Sequence, residues 1–475
     1  MKKLFVCVSF LWILSSSCYA QKGTSIPGGA ALDTTQLTSK INAYVRQYTD
    51  LDIFSGVVMV ALDGKPQYHT GFGLANRELK KPVTTKTRFH IGSMNKSFTL
   101  VVVLQLIHEK KLKISDPLVS WVDGFQQADA HMITIEHLLN HQSGFGDYHS
   151  PRFFDLPDEK KTIQGITEIL QTAPLFFKPG TSMEYSNAGY VLLGAVIEKA
   201  TGKSYSQNVE ERIIQPLQLN QTYTKNVNSI PDKSVGYIRT INGFRDNLNF
   251  VLEPKSDGGF WSTSSDIFTF YRNFFYGEKL LSAEMRAPMA VFQKLNQTPV
   301  KKAMGIAGGM NGSNSVFLEL PNEKISIVVL ANMDEPVAEK IAKGIQNIIL
   351  SQPAEPASLP AVLNMYKAYK DHNIDYLKNN FEALTSGFRQ GEPKDFILND
   401  LGYQLMSFKQ YKEALEILKL NTELFPEIAN CWDSFGEALL MNDKRSEALA
   451  AYKKALSIRP NLPSALEAVK NLEGN

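Results

Sequence analysis

Pro353, Pro356 and Pro360, set among small residues between Ser351 and Pro360, divide the sequence into two parts that no single run of secondary structure can join. Proline removes a backbone donor and fixes its own φ, so the stretch 351–360 reads as a linker. Upstream, over residues 30–350, the apolar residues follow a mixed period. Gly56 to Leu62 is an apolar, β-branched run that turns at Asp63-Gly64 into a second strand ending near Gly73, a hairpin signature. Ser315 to Leu320 and Lys324 to Ala331, joined across Pro321-Asn322, predict another strand pair. Helical stretches such as Lys96 to Leu112 and Gly189 to Thr201 lie between. Strands from both ends of a region with helices between them predict an α/β domain: one antiparallel sheet flanked by helices, with a helical subdomain.

Downstream, residues 361–475 are patterned for helix alone. Gly402 and Gly436, Ala414 and Ala448, and Pro426 and Pro460 each stand 34 residues apart. Small residues where two helices must meet, with proline closing the unit, resemble the tetratricopeptide repeat. Trp432, Phe435, Gly436, Leu439, Ala448, Tyr452, Ala455 and Pro460 make the second copy the clearer one. In the first copy Asn421 replaces the alanine found at Ala455, which is expected to weaken that helix contact. Two copies need neighbours, and Leu363 to Ala383 and Leu462 to Leu472 are predicted to cap the stack. Such a stack implies a protein or peptide partner.

The first residues are patterned for processing. Lys2 and Lys3 precede an apolar run from Leu4 to Leu14, and Cys18-Tyr19-Ala20 supplies small residues before Gln21. The run is too short for a spanning helix, so removal of residues 1–20 and export to the periplasm or medium are expected, with no transmembrane span in the mature chain. Lipid attachment at Cys18 is the alternative, but the usual aliphatic residue three places earlier is Ser15. Loss of Lys2 and Lys3 would take the 50 basic residues to 48, equal to the 48 acidic ones. A formally neutral protein is a poor match for nucleic acid or an anionic membrane surface. Cys431 would then be the one remaining cysteine, so no intrachain disulfide is expected.

The chemistry-bearing residues are few. A hydroxyl nucleophile needs a base beside it, and Ser93-Met94-Asn95-Lys96 supplies both where Thr87 to Ile91 breaks at Gly92 into an apolar helical run. Residues three apart share a helix face, so Lys96 can reach the Ser93 hydroxyl, and a helix N-terminus favours charge developing on its oxygen. Lys96 must lose solvent before it can act as a base. Ser93 could instead merely cap a helix, but no other Ser-x-x-Lys occurs in the chain. Tyr185-Ser186-Asn187 offers a phenol for proton transfer and an amide able to donate to a substrate carbonyl and accept from Lys96. Tyr271-Arg272-Asn273 has the same spacing but lies within an amphipathic helical stretch, whereas Tyr185 follows the turn Lys178-Pro179-Gly180.

From about Ser55 to Asp334 the chain resembles the class C β-lactamase and D-alanyl-D-peptidase family of serine hydrolases, which also includes esterases. The resemblance is carried by Phe89 through Lys96, His137 through Gly144, and Phe177-Lys178-Pro179-Gly180 with Tyr185-Ser186-Asn187. Gly194 through Glu198 with Gly202, and then Gly258-Gly259 with Asp266, continue it in order. It implies an acyl-enzyme mechanism, with Ser93 as nucleophile, Lys96 and Tyr185 as bases and Asn187 orienting substrate. The third motif of the family, a His or Lys, a small residue and Gly, falls on Ile306-Ala307-Gly308-Gly309. Ile306, Gly308 and Gly309 are therefore expected to line the substrate, with the Gly309 and Ser93 amides as oxyanion hole. An isoleucine cannot hold a substrate carboxylate, so a neutral ester or amide fits better. A true β-lactamase or D-peptidase would need another cation, for which Lys301 and Lys302 are close in sequence. A non-catalytic binding protein working through its repeats is the alternative of another class. His137 and His141 stand four apart, but no Glu follows His137 and no third ligand is evident, so neither a metal nor an organic cofactor is expected.

Overall fold

The computed structural model describes residues 34–334, 336–386 and 393–474; the leader expected at residues 1–20 lies outside them. Two compact units emerge, one from residues up to 238 with 246–356, the other from 239–245 with 357 onwards. The second boundary, between Pro356 and Ala357, falls inside the proline-rich stretch.

The first unit begins with α1 (Thr34–Asp50), followed by the hairpin β1 (Gly56–Leu62) and β2 (Lys65–Phe72). Helices α2 (Lys96–His108), α3 (Asn187–Thr201) and α4 (Ser264–Phe275) come next. Strands β3 (Met304–Met310), β4 (Ser313–Leu320) and β5 (Ile325–Ala331) and helix α5 (Val337–Ile349) close the unit. The sheet runs β2-β1-β5-β4-β3, antiparallel throughout, so the first and last strands of the unit pair at its centre. Val57 faces Leu330 and Met59 faces Val328 in that central pair. These four residues join the core shared with α2 and α4, while Val58, Val60, Ile327 and Val329 bury on the opposite face, where α5 packs. Covered on both faces, β1 and β5 are continuous apolar runs rather than alternating ones. Polar Lys65 and Gln67 with Pro66 stand on the edge strand β2, where an unpaired ladder is tolerated.

Helix α2 is apolar all round and almost wholly buried, because sheet, α3 and α4 enclose it. It is shorter than the apolar pattern suggests, ending at His108. Helix α3 starts where the Ser186 hydroxyl accepts from the Gly189 amide and stops at Gly202, whose φ of 69° few other residues tolerate. The Ser186 cap thereby fixes the first turn of α3, the turn that carries Asn187.

In the second unit, α6 (Ala361–Asp371) and α7 (Ile374–Leu384) precede two helix pairs. These are α8 (Asp395–Ser407) with α9 (Tyr411–Leu424), and α10 (Ala429–Met441) with α11 (Arg445–Ile458). Every boundary of the second pair lies 34 residues after its counterpart. A methyl group on Gly402 would meet Leu418 at 2.4 Å and one on Gly436 would meet Tyr452 at 2.9 Å, the same approach in both pairs. Helix α12 (Pro463–Glu473) follows the second pair. Asn421 keeps one hydrogen bond across this contact, while its Oδ1 is buried with no hydrogen-bond partner among the described residues. Wholly buried, it donates from Nδ2 to the Asp395 carbonyl at 3.2 Å, a hydrogen bond that ties α9 to α8.

Candidate active site

Ser93 lies in a 3-10 turn, Gly92–Asn95, that runs directly into α2 at Lys96. Three residues make one turn of a 3-10 helix, so side chains at i and i+3 eclipse and Lys96 stands over Ser93. Gly92 has φ 54°, and a methyl there would meet the Gly309 amide nitrogen at 2.3 Å. Gly308 faces the turn from β3, where a methyl would fall 2.4 Å from the Ile91 carbonyl oxygen and 2.5 Å from the Ser93 nitrogen. Two glycines thus let strand and turn touch backbone to backbone. Ser315, paired with Gly308 across the ladder, donates to the His90 carbonyl at 3.2 Å and pins the approach.

Ser93 Oγ accepts from Lys96 Nζ at 3.0 Å and from Tyr185 Oη at 2.7 Å. Lys96 Nζ also donates to Asn187 Oδ1 at 2.8 Å and to the Asp257 carbonyl. Its three protons therefore have three acceptors, with the Tyr185 ring 4.9 Å and the Tyr190 ring 5.6 Å away. Burial pushes the Lys96 ammonium down from its ordinary value to about 8, against the opposing charges of Asp257 and Asp147. Ser93, Lys96, Tyr185 and Asn187, separated by up to 94 residues, thus meet at one point.

The remaining expected residues fare differently. Gly308 and Gly309 lie against the nucleophile turn. Ile306 is 7% exposed, close to the 9% of Ser93; it pairs with Phe317 and packs with the core shared with α2. It shares a strand face with Gly308, but a short branched side chain ends within the apolar layer. Lys301 precedes β3 in a turn, where its amide binds Glu323 and its carbonyl accepts from Gln346. Tyr271 is fully buried and donates to the Met94 carbonyl at 3.1 Å, bracing the turn from behind. His137 Nδ1 is held within its own turn, where it accepts from the Thr134 amide at 3.4 Å or, in the other tautomer, donates to the Met132 carbonyl at 3.2 Å. His141 Nδ1 accepts from the Ser186 amide, and its ring lies 4.8 Å from that of Tyr185. Burial and the Lys96 charge push His141 down to about 4, so it stands neutral beside the phenol.

Two acidic groups of the site carry no motif in the sequence. Asp147, in the loop after Gly144, accepts from Asn187 Nδ2 at 3.2 Å and from His149 Nδ1 at 2.6 Å. Asp257 is buried, accepts from Tyr148 Oη at 2.9 Å and offers its carbonyl to Lys96. Asn95 and Thr99 take the two preceding carbonyls, of Lys255 and Ser256, so three side chains around the start of α2 hold three successive carbonyls of this loop. Both acids sit in short polar runs beside glycines, the only trace they leave in sequence.

A family model described as Beta-lactamase matches residues 41–348. Penicillin-binding protein 4* of Bacillus subtilis is 28% identical over 341 residues, which cover 65% of this chain and 75% of that protein. The D-aminopeptidase of Brucella anthropi is 26% identical over 67% of this chain and 63% of its own length. The esterase EstB of Burkholderia gladioli is 32% identical over 40% of this chain and 52% of its own length, so the chain spans less than two thirds of both enzymes. Among solved structures, the octameric penicillin-binding protein homologue from Pyrococcus abyssi superposes with a TM-score of 0.57 at 25% identity, covering 71% of this chain and 82% of that one.

Proposed function

Because the chain belongs to the β-lactamase family and is an enzyme of that serine-hydrolase group, we propose that it cleaves a neutral ester or amide through an acyl-enzyme on Ser93. The observation that carries this reading is the pair of hydrogen bonds on Ser93 Oγ from Lys96 and Tyr185. With Lys96 brought down to about 8, about a tenth of it is amine at pH 7. In that form it takes the Ser93 proton as Oγ attacks the acyl carbon. The amides of Ser93 and Gly309 receive the oxyanion. Tyr185 gives its proton to the leaving alcohol or amine and regains one from Lys96. Water then enters along the same path, and its proton returns to Ser93 as the acid departs.

The substrate reading rests on what the third motif lacks. Ile306 and Ala307 bring neither cation nor hydroxyl, so a carboxylate beside the scissile bond would have no partner from these two positions of the strand. A lost charge-assisted hydrogen bond costs on the order of 2–3 kcal/mol, about thirty-fold to a hundred-fold in rate. The esterase and the D-aminopeptidase among the relatives are consistent with this choice. Turnover of p-nitrophenyl butyrate, nitrocefin and a D-alanyl-D-alanine peptide should favour the ester. Efficient nitrocefin hydrolysis would replace this reading with the β-lactamase one, and absence of turnover on all three would favour a binding protein.

We further read 361–475 as a tetratricopeptide-type domain that binds a protein or peptide, supported by the 34-residue recurrence of helix boundaries and glycine contacts. Among the described residues no helix is long and apolar enough to cross a membrane, and export through the first 20 residues remains part of this proposal.

A further inference from the structure

The hydrogen bonds of Lys96 continue past Asn187 into the loop after Gly144. All three ammonium protons are donated, one of them to the Asn187 side chain, so the amide must turn Oδ1 towards Lys96. Its Nδ2 then points at Asp147 Oδ2, 3.2 Å away, and an ionised carboxylate can only accept. The opposite amide orientation would set a donor against the ammonium and an acceptor against the carboxylate. Asp147 is itself clamped: Oδ1 accepts from both His149 Nδ1 at 2.6 Å and the His149 amide at 3.3 Å. The imidazole is held in turn, its ring stacked 4.2 Å from Tyr148 and edge-on to Phe153 at 5.2 Å.

Resting on the serine-hydrolase reading, we propose that Asp147, clamped by His149, is a positioning residue that locks the Asn187 amide and places a compensating negative charge behind it for Lys96. The groups facing Lys96 from the surrounding elements are Asp257 from its loop, Tyr185, Tyr190 from α3 and His141. His141 is neutral at working pH, and Asp257 is fixed by Tyr148. Burial alone would raise the Asp147 carboxyl, but its bonds to His149 and Asn187 outweigh this and hold it below the usual carboxylate range. It is therefore charged whenever the enzyme works. Removal of that charge makes the ammonium less favourable, so Lys96 should lose its proton at lower pH.

The test is the rate of Ser93 labelling by a fluorophosphonate, followed by intact mass between pH 5.5 and 9.5, for the native protein, Asp147→Asn and His149→Gln. Asp147→Asn should move the Lys96-dependent limb down by roughly half to one pH unit and lower the plateau about ten-fold, since the amide can now turn either way. His149→Gln keeps the charge and loosens the clamp, so the limb should stay while the plateau falls several-fold. A limb unmoved in Asp147→Asn at native melting temperature overturns the proposal. Should that variant not fold, a native plateau in His149→Gln overturns it as well. If the native protein is not labelled at Ser93, the serine-hydrolase reading fails first.

Discussion

Gly308→Ala isolates the contact on which the proposed oxyanion geometry depends. The added methyl would lie 2.4 Å from the Ile91 carbonyl oxygen, 2.5 Å from the Ser93 nitrogen and 2.6 Å from the Met94 nitrogen. All three are backbone atoms, so no side-chain rotation relieves them. Ordinary contact begins near 3.4 Å, and strand β3 must retreat from the turn by about 1 Å. Overpacking of this kind costs about 1–3 kcal/mol of stability. A displacement of 1 Å between catalytic groups costs about a hundred-fold in rate, much more than the melting shift implies. Gly305→Ala, on the same strand, is the internal control, because its nearest contact is Leu318 Cδ1 at 3.4 Å. It should change stability by no more than about 0.5 kcal/mol. The assay is kcat/KM on p-nitrophenyl butyrate beside a thermal melt of each variant. Native kcat/KM in Gly308→Ala, or equal losses in both variants, would refute the idea that β3 sets the geometry at Ser93.

Lys96→Ala and Tyr185→Phe should each lower ester turnover about a hundred-fold to ten-thousand-fold with unchanged circular dichroism, and Tyr185→Phe with native turnover would remove the phenol from the mechanism. Tyr271→Phe, which loses a buried hydrogen bond to Met94, should cost about 1 kcal/mol in a denaturant titration and leave most activity. Since Lys96 acts as amine and burial brings it down to about 8, kcat/KM should rise with pH through that value; a profile flat from pH 6 to 9 would contradict its role. In the helical unit, Gly402→Ala should lower the melting temperature more than Gly436→Ala, because its methyl meets Leu418 at 2.4 Å rather than Tyr452 at 2.9 Å. Equal melting of both with the native protein would show that the helices leave room for a methyl group at these two glycines.

The legible parts of this molecule are those whose partners are near in sequence or repeat in it. Ser93 and Lys96 share one helical turn, and the hairpin at Asp63-Gly64 announces itself by local turn chemistry. The helix pairs of the second unit are visible through a period that needs no tertiary knowledge. For Ile306 the family motif fixes the position on the strand, but the packing around it decides how far the side chain meets solvent or core. Asp147 and Asp257 leave no pattern for a related reason. Their meaning lies in Asn187, His149 and Lys96, to which the fold brings them from other loops. Asn421 shows the limit of substitution logic: a polar residue in an alanine position suggests a defect, yet its Nδ2 reaches the Asp395 carbonyl while its Oδ1 stays buried without a hydrogen bond.

The proposed mechanism stands on Ser93 as the nucleophile. Brief exposure to a fluorophosphonate, followed by intact mass and peptide mapping, should yield one adduct per chain on Ser93, none on the neighbouring Ser97, and loss of esterase activity in step with labelling. Ser93→Ala should take up no label and hydrolyse no ester. Undiminished labelling or turnover in that variant would contradict the account at its base.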